Sequence, residues 1–136
     1  MPETLEITLP SRIESVDEAA TRTCEFATEN GLREELLFAI DLAVRESVAN
    51  AIKHGNKLDP QKSVDITLEN SPAAFEITVR DHGHGFEIEE IPDPTDPDNL
   101  LKSNGRGILF MRSFMDVVEW SNGTDGGLVV HMVKNH

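Results

Sequence analysis

The sequence predicts one α+β domain over residues 1–136, a two-layer α/β sandwich in which a mixed, mostly antiparallel sheet is covered on one face by helices. The chain has 136 residues, 38% of them hydrophobic, which suits one ordinary core. Its periodicities give the order β-α-α-β-β-loop-α-β-β, which differs from the strand-helix alternation of a parallel sheet. Helices that follow one another in sequence favour a layer on a single face.

The first half of the chain contains one strand and two helices. Apolar and polar residues alternate over residues 5–9, which is the period of a half-buried strand. Residues 15–18, Ser-Val-Asp-Glu, have the form of a capping box and predict a helix from there to the Asn-Gly pair at 30–31. A second helix is predicted over 34–54, because its apolar residues share one sector, and the Gly-Asn pair at 55–56 ends it.

The second half contains four further strands with a loop and a helix between the two pairs. Alternating patterns predict the strands, which cover residues 64–68, 75–79, 117–120 and 128–133. The loop of 87–104 holds three prolines and several acids without periodicity. Loops of this length in a compact domain usually either serve a function or are disordered, and we interpret this one as a lid. The helix is predicted over 105–115.

The charge balance argues against two classes of partner. Twelve Lys and Arg against 25 Asp and Glu give a formal charge of −13 at pH 7. Such a charge opposes long-range attraction to nucleic acid or anionic lipid, so we expect no direct nucleic-acid partner and no membrane. A nucleotide can still bind, because a metal ion and backbone N–H groups offset charge locally around its phosphates.

The expected location is the cytoplasm. The N-terminus lacks the basic start and apolar run of a signal peptide, and no stretch reaches the length of a membrane helix. The single cysteine, Cys24, allows neither an intrachain disulfide nor a zinc cluster built on cysteines. We expect Cys24 to be a small buried apolar residue.

A row of polar residues edges the apolar sector of the second helix. From Glu46, Asn50 lies about 40° and His54 about 80° around the helical wheel, so the three are one turn apart. Asn50 can offer its oxygen to Mg²⁺, and Glu46 can accept a proton. A solvated helix face would have the same spacing, so this motif alone is weak.

Two glycine-rich segments complete the candidate site. Asp81-His-Gly83-His-Gly85 follows a strand, where a carboxylate can accept a hydrogen bond from an exocyclic amine such as that of adenine and glycines allow close backbone approach. The alternative for this segment is an ordinary tight turn. Further on, the segment NGRGI at 104–108 opens the third predicted helix, where free N–H groups and the helix dipole suit phosphate oxygens. The alternative for this segment is an ordinary glycine-rich junction between a loop and a helix. The residues that could contact phosphate there are Lys102, Gly105, Arg106 and Gly107.

These segments occur in an order that resembles the Bergerat-type ATP-binding fold of histidine kinases and gyrase-type ATPases. The run ESVANAIKHGN at 46–56 resembles its N box, and the segments at Asp81 and Gly105 resemble its two glycine boxes. Within that superfamily, the run at 46–56, the short length and the segment GILFMRSFMD at 107–116 are similar to the anti-sigma-factor serine kinases. The resemblance covers nearly the whole chain.

The resemblance implies an activity, cofactors and partners. It implies that ATP binds with its adenine on Asp81, that Asn50 ligates Mg²⁺ and that Glu46 is the catalytic base. Either Lys102 or Arg106 would approach the terminal phosphate. It also implies a homodimer, a substrate serine or threonine on an anti-sigma-factor antagonist protein, and a sigma factor as the captured partner.

Three alternatives stay open from the sequence. The chain could be a non-catalytic ATP-binding module that captures a regulatory partner without phosphate transfer. It could be the detached ATPase part of a histidine kinase, although the predicted elements include no phosphoacceptor helix pair. His54, His82 and His84 could instead form a metal site, although neutral histidines beside a polar pocket need no metal.

Overall fold

Five strands and two helices make up the part of the chain that the structure, a computed structural model, describes, which is residues 3–83, 114–123 and 127–136. The strands are β1 (Glu3–Pro10), β2 (Ser63–Asn70), β3 (Ala74–Arg80), β4 (Val117–Asn122) and β5 (Leu128–Asn135). The helices are α1 (Glu14–Glu29) and α2 (Glu34–Asn50), and α2 continues into one π-helical turn, Ala51–Gly55. The predicted lid of 87–104 and residues 105–113 of the predicted third helix lie outside the described ranges.

The sheet has the order β1-β2-β3-β5-β4, and each neighbouring pair of these described strands is antiparallel. This confirms the predicted α+β sandwich. The expected sheet was mixed and mostly antiparallel, whereas the described strands pair only with antiparallel neighbours. β4 runs in the same direction as β3, but β5 lies between them, because the hairpin from β4 returns the chain to the edge of β3. The connection after β3 therefore creates no parallel pair within the described part.

The core lies between the helices and one face of the sheet. Apolar residues of neighbouring strands pair with one another and so form rows across this face of the sheet. One such row consists of Ile7, Ile66, Val79 and Val130. Small residues on α1 let the helix lie close to this face, and Phe26 of α1 meets Phe75 of β3 with ring centroids 6.0 Å apart. The opposite face carries the polar residues of the alternation.

The C-terminus of α1 matches the prediction from the sequence, and its N-terminus differs from it. The helix begins at Glu14 without a side-chain cap, and the hydroxyl of Ser15 donates to the carbonyl of Pro10 over 2.7 Å. The predicted capping box is therefore wrong, because Ser15 lies inside the first turn and its hydroxyl fixes the junction with β1. The predicted stop is confirmed, since α1 ends at Glu29 and Gly31 takes a left-handed φ of 79°.

Charged side chains on the outer surface of the helix layer link α1 to α2. Arg45 of α2 bonds to Asp41 one turn earlier and to Asp17 of α1. Cys24 is half-buried nearby rather than fully buried. Burial, and then the Asp41 carboxylate, raise the pKa of the Cys24 thiol, while Arg45 lowers it. The described part contains no helix long and apolar enough to cross a membrane.

The end of α2 is a wide turn followed by strained backbone. The N–H of Asn56 donates to the carbonyl of Ala51 over 2.8 Å, an i to i+5 bond, and the predicted end at Gly55 and Asn56 is confirmed. The next two residues, Lys57 and Leu58, have φ values of 53° and 61°. Such left-handed conformations are costly for residues with a Cβ. They reverse the chain so that β2 can begin at Ser63.

Relief of this strain should stabilise the protein. Lys57 is exposed, so Lys57→Gly removes the Cβ clash without removing buried contacts, and we expect a gain of about 0.5–1 kcal/mol in the free energy of unfolding. Lys57→Ala is the matched control, because it shortens the side chain but keeps the clash. Urea denaturation measures the free energy of unfolding of both variants and of the wild type. Equal stability of the glycine and alanine variants would contradict the interpretation.

Candidate functional site

Asp81 is a buried carboxylate at the end of β3, with only 2% of its surface exposed. Its Oδ1 accepts hydrogen bonds from the backbone N–H of Gly83 at 3.0 Å and of Leu128 at 3.1 Å. The backbone N–H of Asp81 also donates to the carbonyl of Leu128 over 3.1 Å. Burial of a carboxylate is costly unless donors meet it, and here β5 and the turn supply them. One oxygen is thus fixed, which orients the whole carboxylate.

The other oxygen, Oδ2, lies against the π turn at the end of α2. A Cβ added at Gly55 would lie under 3.0 Å from Asp81 Oδ2, and a Cβ added at Gly83 would lie under 3.0 Å from the carbonyl oxygen of Gly55. Real Cβ atoms do not approach other atoms this closely, so both positions require glycine. The end of the helix that carries Glu46 and Asn50 therefore packs directly on the Asp81 turn.

Asn56 closes the run at 46–56, and no motif in the sequence assigns it a functional role of its own. Its side chain is 1% exposed and bonds to three separate segments. Its Oδ1 accepts from the backbone N–H of His82 at 2.8 Å, and its Nδ2 donates to Ser11 Oγ at 2.6 Å and to the carbonyl of Ser63 at 2.9 Å. The signal available in the sequence was a carboxamide directly after the glycine that ends a helix.

His82 turns away from Asp81, onto the open face of the sheet. Its Nε2 lies 2.8 Å from Asp65 Oδ2, and Thr8 Oγ1 donates to the other oxygen of that carboxylate over 3.1 Å. The ring therefore ties the Asp81 turn to β2. The three-histidine metal site stays untested, because His84 lies outside the described residues.

The polar row predicted on α2 is present at two of its three positions. Glu46 and Asn50 are half-buried, whereas His54 is exposed and belongs to the π turn. An i to i+5 turn advances by a different angle from an α-helix, so the wheel angle of about 80° for His54, which assumes an α-helix, does not apply across this turn, and His54 stays a predicted site residue. Within α2, Asn50 lies about 6 Å nearer to Gly55 along the helix axis than Glu46 does.

The second half of the predicted site lies outside the described residues and stays a prediction. This applies to the phosphate-side positions and to the last glycine of the Asp81 segment, which are Gly85, Lys102, Gly105, Arg106 and Gly107. The described half comprises the end of α2, the turn after β3 and the start of β5. It forms a buried, hydrogen-bonded acceptor site beside a helix that carries a carboxylate and a carboxamide.

Comparison with known proteins gives the family. A sequence profile described as the histidine kinase-like ATPase domain matches residues 9–134, which implies an ATP site. The chain is 36% identical over 103 residues to an anti-sigma F factor of Anoxybacillus flavithermus, covering 73% of this chain and 69% of that protein. It is also 36% identical over 104 residues to an anti-sigma F factor of Bacillus cytotoxicus, covering 74% and 70% of the two chains.

A solved structure supports the fold. The crystal structure of the RsbU and RsbW domains of a Mycobacterium tuberculosis protein aligns with 97% of this chain at a TM-score of 0.65 and 18% sequence identity. The present chain corresponds to 32% of that longer one. At this identity the similarity concerns the fold alone.

Contact between the two glycines should appear as energetic coupling. We expect Gly55→Ala and Gly83→Ala each to lower the free energy of unfolding by about 1–3 kcal/mol, because each Cβ meets the opposite segment. The double variant should lose less than the sum, since one displacement already separates the segments. Gly31→Ala, with no atom within 4 Å of its Cβ, is the control and should add to Gly83→Ala within about 0.5 kcal/mol. Additive losses for Gly55 and Gly83 would contradict the contact.

Proposed function

The chain belongs to the histidine kinase-like ATPase domain family, and we propose that it is an ATP-dependent serine/threonine protein kinase and anti-sigma regulatory factor. The observation that carries the proposal is the packing of the buried Asp81 turn on the end of the helix that bears Glu46 and Asn50. In this proposal the adenine binds at the turn and the phosphates lie along the helix.

Asp81 is the group proposed to recognise the base. Its Oδ1 is occupied by two backbone N–H donors, so Oδ2 is the oxygen left for the exocyclic amine of adenine. The charge around Asp81 also favours a nucleotide orientation with the base, and not the phosphates, at this turn. The C-terminal end of α2 carries a partial negative charge from the helix dipole, which suits a neutral base with an amine and repels a phosphate.

We therefore propose that the phosphates lie toward Asn50 and Glu46. Mg²⁺, when bound, neutralises phosphate charge and orients the terminal phosphate for transfer. The half-buried Asn50 offers a carboxamide oxygen, a ligand type that Mg²⁺ accepts. The N–H groups of Gly105 and Gly107 would hold phosphate oxygens at a helix N-terminus, with Gly85 beside the base and Lys102 or Arg106 supplying positive charge.

Glu46 is the proposed general base. The hydroxyl oxygen of the substrate serine or threonine forms a bond to the γ-phosphorus as the bond from that phosphorus to the β–γ bridging oxygen breaks. The hydroxyl proton passes to the Glu46 carboxylate, and ADP leaves with the bridging oxygen. Positioning and electrostatics supply most of the acceleration in such transfers.

The partners follow from the relatives and from the charge. The similar proteins are named anti-sigma F factors, and this supports a sigma factor as the captured partner. We propose an anti-sigma-factor antagonist protein as the phosphorylated substrate, a homodimer as the working form and the cytoplasm as the location. A chain with a formal charge of −13 would regulate transcription through proteins and not by contact with nucleic acid.

Asp81→Asn tests base recognition. Asparagine can keep an oxygen where Oδ1 accepts its two N–H bonds, while an NH₂ group replaces Oδ2 and faces the amine of adenine as a second donor. We therefore expect a folded variant whose ATP affinity is at least about tenfold lower, measured by calorimetry with Mg²⁺. Asp59→Asn, outside the site, is the control. Unchanged affinity in Asp81→Asn would remove Asp81 from base recognition.

Glu46→Ala and Asn50→Ala separate catalysis from binding. We expect Glu46→Ala to slow phosphate transfer about 100- to 10,000-fold and to keep ATP affinity, because only the base is lost. Asn50→Ala should also weaken the Mg²⁺-dependent part of ATP binding. Glu35→Ala, on the exposed first turn of the same helix, serves as the control. The assays are calorimetry and transfer of labelled phosphate to candidate antagonist proteins.

Two outcomes of this assay would change the proposal. An active Glu46→Ala protein would exclude Glu46 as the base. ATP-dependent capture of a partner without phosphate transfer by the unmodified protein would favour the non-catalytic binding module instead.

A further inference from the structure

Asn56 joins the proposed nucleotide turn to the rest of the fold. We infer that Asn56 is a positioning residue for the ATP site: its carboxamide holds the turn of Asp81 to Gly83 against the end of α2 and so sets the affinity for the base. The inference rests on the proposed ATP binding at Asp81. Asn56 itself contacts the turn and not the nucleotide.

The hydrogen bonds of Asn56 permit one orientation of its carboxamide. The backbone N–H of His82 can only donate and the carbonyl of Ser63 can only accept, so the oxygen faces His82 and the nitrogen faces Ser63. The second hydrogen on the nitrogen meets Ser11 Oγ at 2.6 Å. Since all three partners bind a side chain that is 1% exposed, the carboxamide has no solvent alternative.

β5 holds Asp81 through two bonds with Leu128, but those bonds do not reach the end of α2. Among the described contacts that join the turn to α2 or to β2, Asn56 differs in direction and burial. The glycine contacts between Gly55 and Gly83 limit how close the turn can approach, but they do not hold it in place. The ring of His82 pairs with Asp65, yet both side chains are about a third exposed, so water competes for that bond. The bond from His82 N–H to Asn56 is the buried, directional attachment of the turn to the helix end.

Loss of this attachment should act on the ligand through Asp81. The bonded N–H belongs to the residue between Asp81 and Gly83, so a shift there moves both the carboxylate and the N–H that fixes its Oδ1. Binding groups must be held to within about 0.5 Å to function. The expected phenotype is a folded protein whose base-binding carboxylate is misplaced.

The test compares two truncations of the same network. Asn56→Ala removes the bond to the turn, whereas Ser11→Ala removes a bond of Asn56 on the side away from the turn. Both should lower the melting temperature. At a temperature where circular dichroism shows both variants folded, we expect Asn56→Ala to lower ATP affinity about tenfold and Ser11→Ala to change it less than about twofold.

Amide hydrogen exchange measured by NMR supplies a second readout that needs no nucleotide. In Asn56→Ala the His82 and Gly83 amides should exchange faster relative to amides in the middle of β2, and in Ser11→Ala this ratio should stay as in the wild type. If Asn56→Ala does not fold, Asn56→Asp replaces it. That variant keeps an oxygen acceptor for His82 N–H but sets an oxygen against the Ser63 carbonyl, so it should lose stability while the relative protection of His82 persists.

The outcomes separate this inference from the proposed function. Equal effects of Asn56→Ala and Ser11→Ala on ATP affinity, or unchanged relative protection of His82 in Asn56→Ala, would overturn the positioning role. Loss of that protection in a protein whose wild type binds no ATP would instead keep Asn56 as the anchor of the turn, overturn its link to ATP affinity and reject the proposed function.

Discussion

The close approach of Gly55 and Gly83 is the constraint on which the site depends. Two backbone segments from distant parts of the chain meet where neither can carry a Cβ, and the carboxylate of Asp81 lies against Gly55 at the same place. Because β5 supplies an N–H donor through Leu128, the carboxylate is bonded as well as enclosed. The wide π turn at the end of α2 brings the carbonyl of Gly55 to this position, and Asn56 directly after it bonds to the same turn.

This arrangement also gives the site a polarity. The C-terminal end of α2 and the Asp81 carboxylate make one end rich in acceptors, which suits an amine and not a phosphate. A chain with a formal charge of −13 has no general attraction for a nucleotide. Affinity would therefore depend on local groups, with the adenine amine at the acceptor end and with Mg²⁺ and N–H groups at the other. In the proposal, the same acidity directs the protein toward protein partners.

The sequence predicted the elements well where periodicity and special residues act locally. Gly31 ended α1, Gly55 ended α2, and strand alternation predicted the core face of the sheet. It failed where tertiary contacts decide: Ser15 bonds to Pro10 instead of capping α1, and the π turn changes the direction of His54. No local pattern indicates a role for Asn56, because its three hydrogen-bond partners lie 7, 26 and 45 positions away from it in the sequence.

Recognition of the adenine amine by Asp81 can be tested by calorimetric titration of the wild-type protein with ATP and with inosine triphosphate, both with Mg²⁺. The two nucleotides share phosphates and sugar, but inosine has a carbonyl oxygen in place of the adenine amine. If Asp81 Oδ2 accepts a hydrogen bond from that amine, ATP should bind and inosine triphosphate should bind at least about tenfold more weakly, because two acceptors would face each other. Equal affinities, or no binding of ATP, would contradict the account.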